Sequence, residues 1–199
     1  MGGRSIRLTK DAVVTPAARD LAKQLGVVLV KPGNGEWGMG NEKTNSFPIP
    51  HSPLPIVVIG SDHGGFPMKE ALKQTLAELG AEVLDVGTYS TEAVDYPDFA
   101  VAVARAVASG KAWRGIMVDG AGIGSAMAAN KIPGVRAALC YDLTTAANAR
   151  AHNDANVLTL GGTLIGQRLA TDIVTAFLAT EFGGGRHQGR VDKINALDR

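Results

Sequence analysis

The chain has 199 residues, of which 45% are hydrophobic and 20% charged, with 20 Lys and Arg against 19 Asp and Glu. This composition is that of a globular protein and excludes a disordered chain, and the length fits one full domain rather than two. No apolar run approaches the roughly 18–20 residues of a membrane span, and the N-terminus lacks a signal-peptide profile. A net charge of +1 gives no reason to expect nucleic acid or a membrane as a partner. The single cysteine, Cys140, fits a reducing compartment, so we expect a cytoplasmic protein.

The composition divides the chain into three segments. Residues 31–55 contain five of the nine prolines and four glycines with almost no apolar periodicity, which predicts a linker. Residues 1–30 form an N-terminal extension, in which a short amphipathic helix begins at Thr15 and the run Val27–Val30 is compatible with a short strand. This helix either packs on its own domain or docks on a partner. Residues 56–199 form the main domain.

The main domain alternates apolar strands with amphipathic helices. The strands are continuous apolar runs, which is typical of a parallel sheet covered on both faces. We predict an α/β fold, a doubly wound, Rossmann-like, five-stranded parallel sheet in three α/β/α layers, most simply in the flavodoxin-type order 2-1-3-4-5. The predicted strands are Ile56–Ser61, Val83–Val86, Gly115–Val118, Val135–Cys140 and Val157–Leu160, and the predicted helices are Pro67–Leu79, Tyr96–Ala108, one from near Ser125, Leu143 to about Ala151, and Gly166–Thr180.

Two loops are predicted to form a site at the switch point of this sheet. In such folds ligands bind outside the carboxyl ends of the strands, beside the first and third strands. These strands are followed by SDHGG over residues 61–65 and by DGAGIGS over residues 119–125. The glycine spacing of the second loop matches neither the dinucleotide fingerprint nor the P-loop, so we expect an anion or oxyanion cradle, with a tight turn that binds nothing as the alternative. Asp62 either takes part in the site or caps the following helix.

Two polar pairs lie outside these loops. His152 and Asn153 stand where the fourth helix is predicted to end, and Arg186 and Arg190 lie four residues apart in the C-terminal segment. Two guanidinium groups on one helix face form a natural phosphate clamp. Each pair also has a structural interpretation, since a histidine can complement a helix dipole and a charged tail can simply be solvated. The four histidines show no metal-ligand spacing, so we expect no metal site.

The main domain contains a series of motifs between about residue 56 and residue 194: GSDHGGFPMKE, VLDVGTYS with VDYPDFA, IPGVRAALCYD, AHNDANVLTLGG and FGGGRHQGRVDKI. Together they resemble the type B ribose-5-phosphate isomerase family, which also contains the galactose-6-phosphate isomerase subunits. The resemblance implies an aldose–ketose isomerase without a cofactor, which converts ribose 5-phosphate to ribulose 5-phosphate through a cis-enediolate. It also implies a homodimer or tetramer whose active sites are shared between subunits.

The resemblance also implies roles for individual residues. Asp62 and His63 would contact the sugar, and His152, with Asn153 beside it, would open the furanose ring. The backbone of Gly120, Ala121, Gly122 and Gly124 would stabilise the enediolate oxygens. Arg186 and Arg190 would bind the phosphate, and Tyr96 is a further substrate-binding residue.

Four positions depart from the family pattern. Asp119 stands where the resembling isomerases most commonly carry a cysteine as the catalytic base, and Ser125 stands where some carry a glutamate. Ala121 replaces a threonine and Thr163 replaces an arginine near the phosphate. Because a carboxylate can act as a general base, we take Asp119 as the base, with Ser125 as a second catalytic candidate. The alternatives are a silent sugar-phosphate-binding protein, or one subunit of a hetero-oligomeric hexose-6-phosphate isomerase.

The N-terminal extension has a resemblance of its own. The string VVTPAARDLAKQLGV, residues 13–27, is weakly similar to segments on enzymes associated with bacterial microcompartments. There an amphipathic helix on a flexible linker directs cargo to a shell. Residues 1–30 are therefore a candidate docking segment for a microcompartment shell, which would place this cytoplasmic protein inside the compartment.

Overall fold

The computed structural model describes residues 4–7, 27–30 and 55–198. The chain divides into two units, residues 1–44 and residues 45–199. None of the helices in these described ranges is long and apolar enough to cross a membrane.

The first unit contains two short strands. Strands β1 (Arg4–Arg7) and β2 (Val27–Val30) pair in parallel, with Arg4 opposite Val27. The strand expected at Val27–Val30 is thus present. The helix predicted from Thr15 and most of the predicted linker lie outside the described residues.

The second unit is a regular alternation of strands and helices. The helices predicted in the main domain are all present close to their expected bounds. The sequence did not decide whether the C-terminal segment is helical. The structure has a helix there, which follows a 3₁₀ turn at Gly185–His187. The elements are β3 (Ile56–Ser61), α1 (Phe66–Glu78), β4 (Glu82–Asp85), α2 (Tyr96–Ala108), β5 (Arg114–Asp119), α3 (Ile123–Ala129), β6 (Ala137–Leu139), α4 (Leu143–Asn153), β7 (Val157–Gly161), α5 (Gln167–Ala179) and α6 (Gln188–Asn195).

The five strands of this unit form one parallel sheet in the order β4-β3-β5-β7-β6. The doubly wound α/β class is confirmed, but the predicted order 2-1-3-4-5 is wrong in its last two positions, because the order is 2-1-3-5-4. Strand β7 has five residues, all buried, whereas β6 has three residues, all half-buried. The long apolar strand therefore takes the inner position beside β5. The short one takes the edge, where a short strand leaves fewer N–H and C=O groups unpaired than a long one would.

The core has one layer on each face of the sheet. Alternate residues of β3 point to opposite faces, so that Val57 and Ile59 pack with α1, α4 and α5, while Val58 packs with α2 and α3. The three-layer arrangement is that expected for parallel strands buried on both sides.

A buried lysine ties α1 to the end of β4. The Lys69 side chain is fully buried, and its Nζ donates to Asp85 Oδ1 at 2.7 Å, to Oδ2 at 2.8 Å and to the Thr88 carbonyl at 2.8 Å. Burial alone would raise the pKa of Asp85, but hydrogen bonds from Lys69, the Gly87 N–H and Lys73 outweigh it and lower that pKa. The backbone of residues 87–88 in turn bonds to Ser61 at the end of β3, with distances of 2.6 and 2.7 Å. The lysine thus fixes the loop beside the predicted site.

We expect Lys69→Met to lower the free energy of unfolding by about 3 kcal/mol or more, because it leaves the Asp85 carboxylate largely buried without its main partner. Lys73→Met is the matched control, since Lys73 also bonds to Asp85 but is about one-third exposed, and it should cost about 1 kcal/mol or less. Because the pKa of Asp85 is lowered in the folded state, its stabilising effect is present above the unfolded pKa and is lost as pH falls through the folded pKa. The difference between parent and Lys69→Met should therefore narrow in strongly acidic buffer. Urea denaturation at several pH values checks this, and equal losses in the two variants would contradict it.

Candidate active site

The two loops expected at the switch point are in contact. A Cβ atom added to Gly65 would lie 2.0 Å from the Val118 carbonyl oxygen, so only glycine allows the loop after β3 to approach β5 this closely. A Cβ at Gly64 would lie 3.5 Å from the Gly120 nitrogen. Strands β3 and β5 are direct neighbours, which brings the two loops to the same point of the carboxyl edge.

The first loop carries two of the predicted sugar contacts. Asp62 is buried, and its Oδ1 accepts a hydrogen bond from the Gly65 N–H at 2.8 Å. Gly65 is itself the cap residue of α1 and no side chain caps that helix, so the capping interpretation is wrong and the bond instead fixes the loop. Oδ2 has no protein donor among the described residues. His63 is exposed, with its Nδ1 3.2 Å from the backbone nitrogen of Val94. Each side chain therefore keeps one polar atom that a ligand can use.

The carboxylate of Asp119 is held by its own loop. It lies at the end of β5 and is 4% exposed. Oδ1 accepts hydrogen bonds from the Ala121 N–H at 2.8 Å and from the Gly122 N–H, and Oδ2 accepts from the Ser125 N–H at 3.3 Å and from the Ser125 hydroxyl. The loop can turn back in this way because Gly122 has φ +79°, which favours glycine. A carboxylate has about four lone-pair directions, so all of them are used.

This arrangement decides which N–H groups of the loop remain for a ligand. Those of Ala121, Gly122 and Ser125 are directed at Asp119, whereas those of Gly120, Ile123 and Gly124 have no acceptor within the described residues. The anion cradle expected for the loop is thus limited to these three groups.

Tyr96, at the start of α2, lies against this loop. A Cβ added to Gly124 would be 2.5 Å from the Tyr96 hydroxyl oxygen, so glycine is required there to admit the ring. Asp62, His63, Tyr96 and residues 119–125 are therefore brought together, and we call them the carboxyl-edge cluster.

Three residues anchor the glycine loop, of which the sequence analysis missed Tyr141 and Thr159 and did not assign this role to Thr163. The Tyr141 hydroxyl donates to the Ala121 carbonyl at 2.6 Å, the Thr163 hydroxyl to the Gly120 carbonyl at 2.6 Å, and the buried Thr159 hydroxyl to the Gly122 carbonyl at 2.9 Å. Thr163, where the resemblance led us to expect an arginine, thus holds the loop. The available signal was positional, since residues 159 and 163 flank the carboxyl end of β7 and residue 141 follows β6.

The other predicted site residues lie at the opposite edge of the sheet. Helix α4 begins after the carboxyl end of β6 and returns to the start of β7, so its last residues, His152 and Asn153, stand where the strands begin. The His152 ring stacks on His187, with the centroids 4.2 Å apart and the planes 7° apart. Arg186 and Arg190 flank this histidine along the chain, and we call these five residues the amino-edge cluster. One chain does not bring the two clusters together.

The amino-edge cluster is electropositive. Desolvation lowers the pKa of His187, and so do the neighbouring His152, Arg186 and Arg190. Such a group of cationic side chains favours an anion, for which arginine supplies paired donors. His187 is a member of this cluster that sequence reasoning missed, although its position between the two arginines was a usable signal.

The comparisons with known proteins agree with the fold of the second unit. The model of the family described as Ribose/Galactose Isomerase matches residues 57–194. The chain belongs to the ribose/galactose isomerase family. Ribose-5-phosphate isomerase B of Escherichia coli K12 is 45% identical over 143 residues, which cover 72% of this chain and 96% of that protein. The solved ribose-5-phosphate isomerase B of Clostridium thermocellum is 50% identical with a TM-score of 0.70, and it covers 71% of this chain and 96% of its own. For the type B enzyme of Trypanosoma brucei the values are 49%, 0.70, 72% and 98%.

Membership in the ribose/galactose isomerase family confirms the resemblance and makes the protein an isomerase by family. The carboxyl-edge cluster contains no cysteine. Cys140 lies at the end of β6, where burial raises the pKa of its thiol to about 11, so the thiol is neutral at physiological pH. Within the described residues, no group of three or more His, Cys, Asp or Glu side chains is placed to hold a metal ion.

Proposed function

We propose that this protein converts ribose 5-phosphate to ribulose 5-phosphate without a cofactor, with Asp119 as the base. The observation that carries the proposal is the buried Asp119 carboxylate at the switch point of the sheet, beside three N–H groups that have no acceptor among the residues that the structure describes. Relatives whose sequences are 45% and 50% identical to this chain are named ribose-5-phosphate isomerase B.

The reaction needs one proton to move between neighbouring carbons. Asp119 Oδ2 takes the proton from C2, the electron pair of the C2–H bond forms the C1=C2 bond of the cis-enediolate, and the C1 oxygen takes the negative charge. The N–H groups of Gly120, Ile123 and Gly124 are suited to stabilise that charge as it develops. The proton of the C2 hydroxyl passes to the C1 oxygen, which moves the negative charge to the C2 oxygen. A carbonyl then forms at C2 as Oδ2 returns its proton to C1. A positioned carboxylate typically contributes about 10²–10⁴ in rate to such a transfer.

A second function is favoured by the hydrogen bonds of the same carboxylate. Because Asp119 already accepts four hydrogen bonds from its own loop, it can also be read as a clamp that keeps the loop in shape. The protein would then bind a sugar phosphate without moving a proton.

Proton NMR in D₂O separates these functions. The protein is incubated with ribose 5-phosphate and, in parallel, with allose and galactose 6-phosphates. We expect loss of the C2 proton signal and formation of ketose with ribose 5-phosphate. Exchange only with a hexose phosphate would reassign the substrate. Absence of exchange from folded protein that binds these sugars would favour the silent function, or a subunit that needs a second gene product.

We propose that the active site is completed by a second copy of the chain. The phosphate-binding candidates Arg186 and Arg190 lie at the opposite edge of the sheet from Asp119. A sugar phosphate bound at the carboxyl-edge cluster of one chain can therefore contact such arginines only if a second chain supplies them. Four apolar side chains around the carboxyl-edge cluster are 45–64% exposed and offer a surface for that partner. They are Ile123, Met127, Leu143 and Leu164.

We propose that residues 1–30 dock the enzyme on a microcompartment shell. The proposal is supported by the family match, which begins only at residue 57, and by the division of the chain into two units. Deletion of residues 1–50 should leave turnover intact and abolish co-purification with shell proteins. Loss of folding in that variant would show instead that the segment belongs to the catalytic domain.

A further inference from the structure

The four donors to Asp119 differ in their freedom to move. Three are backbone N–H groups, whose directions are set by the loop and by the first turn of α3. The fourth is the Ser125 hydroxyl, which can rotate about a single bond while the backbone stays in place. Oδ1 receives two backbone donors, so Oδ2 is the only carboxylate oxygen that a side-chain rotation can free.

Ser125 is placed for this one contact. Its side chain is completely buried, and Asp119 Oδ2 is the only acceptor of its hydroxyl among the described residues. None of the ion pairs in the described chain involves Asp119. Its negative charge is therefore stabilised by hydrogen bonds rather than by a cation.

The surrounding elements bring few other titratable groups to this point. The loop after β3 contributes Asp62 and the exposed His63, whose Nδ1 lies against the Val94 backbone. Helix α2 contributes Tyr96, and the segment after β6 contributes Tyr141, whose hydroxyl is already bonded to the Ala121 carbonyl. The carboxyl end of β7 and the rest of α3 carry no titratable side chain. The Ser125 hydroxyl is thus the one adjustable donor to the carboxylate.

We propose that Ser125 is a positioning residue that controls the basicity of Asp119 Oδ2. While its hydroxyl donates to Oδ2, that oxygen has no lone pair for a proton from carbon, and the hydroxyl has to turn away before the transfer. No atom other than the hydroxyl hydrogen changes its partner in this step. The inference rests on the proposed function, since it takes Asp119 as the base.

The test compares the pH dependence of C2 deuterium exchange in three variants. Loss of one charge-assisted hydrogen bond to the carboxylate disfavours its charged form, so in Ser125→Ala the acid limb of kcat/KM should move to higher pH by roughly one pH unit. Ser125→Thr keeps the hydroxyl and should restore the parental limb. Ser109→Ala removes a serine hydroxyl that bonds to the Ala106 carbonyl at the end of α2, and should also give the parental limb. An unchanged limb in Ser125→Ala would overturn the proposal.

A second measurement does not depend on turnover. In protein labelled with ¹³C at the aspartate carboxyl groups, the Asp119 signal is assigned by its loss in Asp119→Asn and titrated without substrate. We expect it to titrate at higher pH in Ser125→Ala than in the parent, and coincident titrations would overturn the role of Ser125 even if the parent shows no exchange. If Ser125→Ala does not fold, Ser125→Cys keeps the volume with a much weaker donor and should move both readouts in the same direction.

Discussion

Asp119→Asn is expected to lower the rate of C2 deuterium exchange by about 10²–10⁴, the contribution typical of a positioned general base. The amide is nearly isosteric with the carboxylate, but it cannot take a proton from carbon at neutral pH. Its oxygen can still accept the Ala121 and Gly122 N–H groups, so the turn at the end of β5 should persist. Binding of ribose 5-phosphate should remain within a few-fold of the parent, since the arginines at 186 and 190 are untouched. The rate is measured by proton NMR in D₂O, and binding is measured by calorimetry.

The matched control for this variant is Asp172→Asn. Asp172 lies on α5 and forms an exposed i,i+4 pair with Arg168, so its amide variant changes the charge equally without touching the site. It should exchange at the parental rate. An Asp119→Asn protein that exchanges as fast as this control would show that the carboxylate is only a structural clamp, and the base would have to be sought elsewhere.

Much of the fold could be predicted because the signals are local. Continuous apolar runs bounded by glycine and proline indicated the strands and helices of the main domain, and the switch-point rule located Asp62 and Asp119 at one edge. The order of β6 and β7 was not accessible in this way. Neighbouring strands are chosen by burial over the whole sheet, and the difference between a five-residue and a three-residue strand emerged only once the sheet was formed.

The details of the site required the three-dimensional structure for another reason. The hydrogen bonds of Tyr141 and Thr163 to the glycine loop join residues 20 and 43 positions apart, and no local pattern reports such pairs. The four hydrogen bonds to the Asp119 carboxylate depend on the backbone conformation of the loop after β5. By contrast, the place of His152 was deducible, because a helix that follows a parallel strand must return to the amino edge. The distance between the two clusters was therefore implicit in the chain order.

Mixing two inactive variants is expected to restore activity if the site is shared. One partner is Asp119→Asn, with an altered carboxyl-edge cluster, and the other is the double variant Arg186→Ala/Arg190→Ala, with an altered amino-edge cluster. Each alone should show little turnover, the second because the phosphate loses its guanidinium partners. After co-refolding, a heterodimer contains one site in which both clusters are intact and one in which both are altered.

The expected recovery follows from symmetry. With random pairing half of the dimers are mixed, so about one quarter of all sites are intact and the mixture should reach about one quarter of the parental rate. The matched control mixes Asp119→Asn with Asp62→Asn. Both substitutions lie in the carboxyl-edge cluster, so every site carries one of them in either kind of dimer and no recovery is expected. Recovery in the first mixture alone requires that Asp119 of one chain works with the arginines of another. If the rate of the first mixture only equals the sum of the rates of the two separate variants, the two clusters of an active site do not come from two different chains.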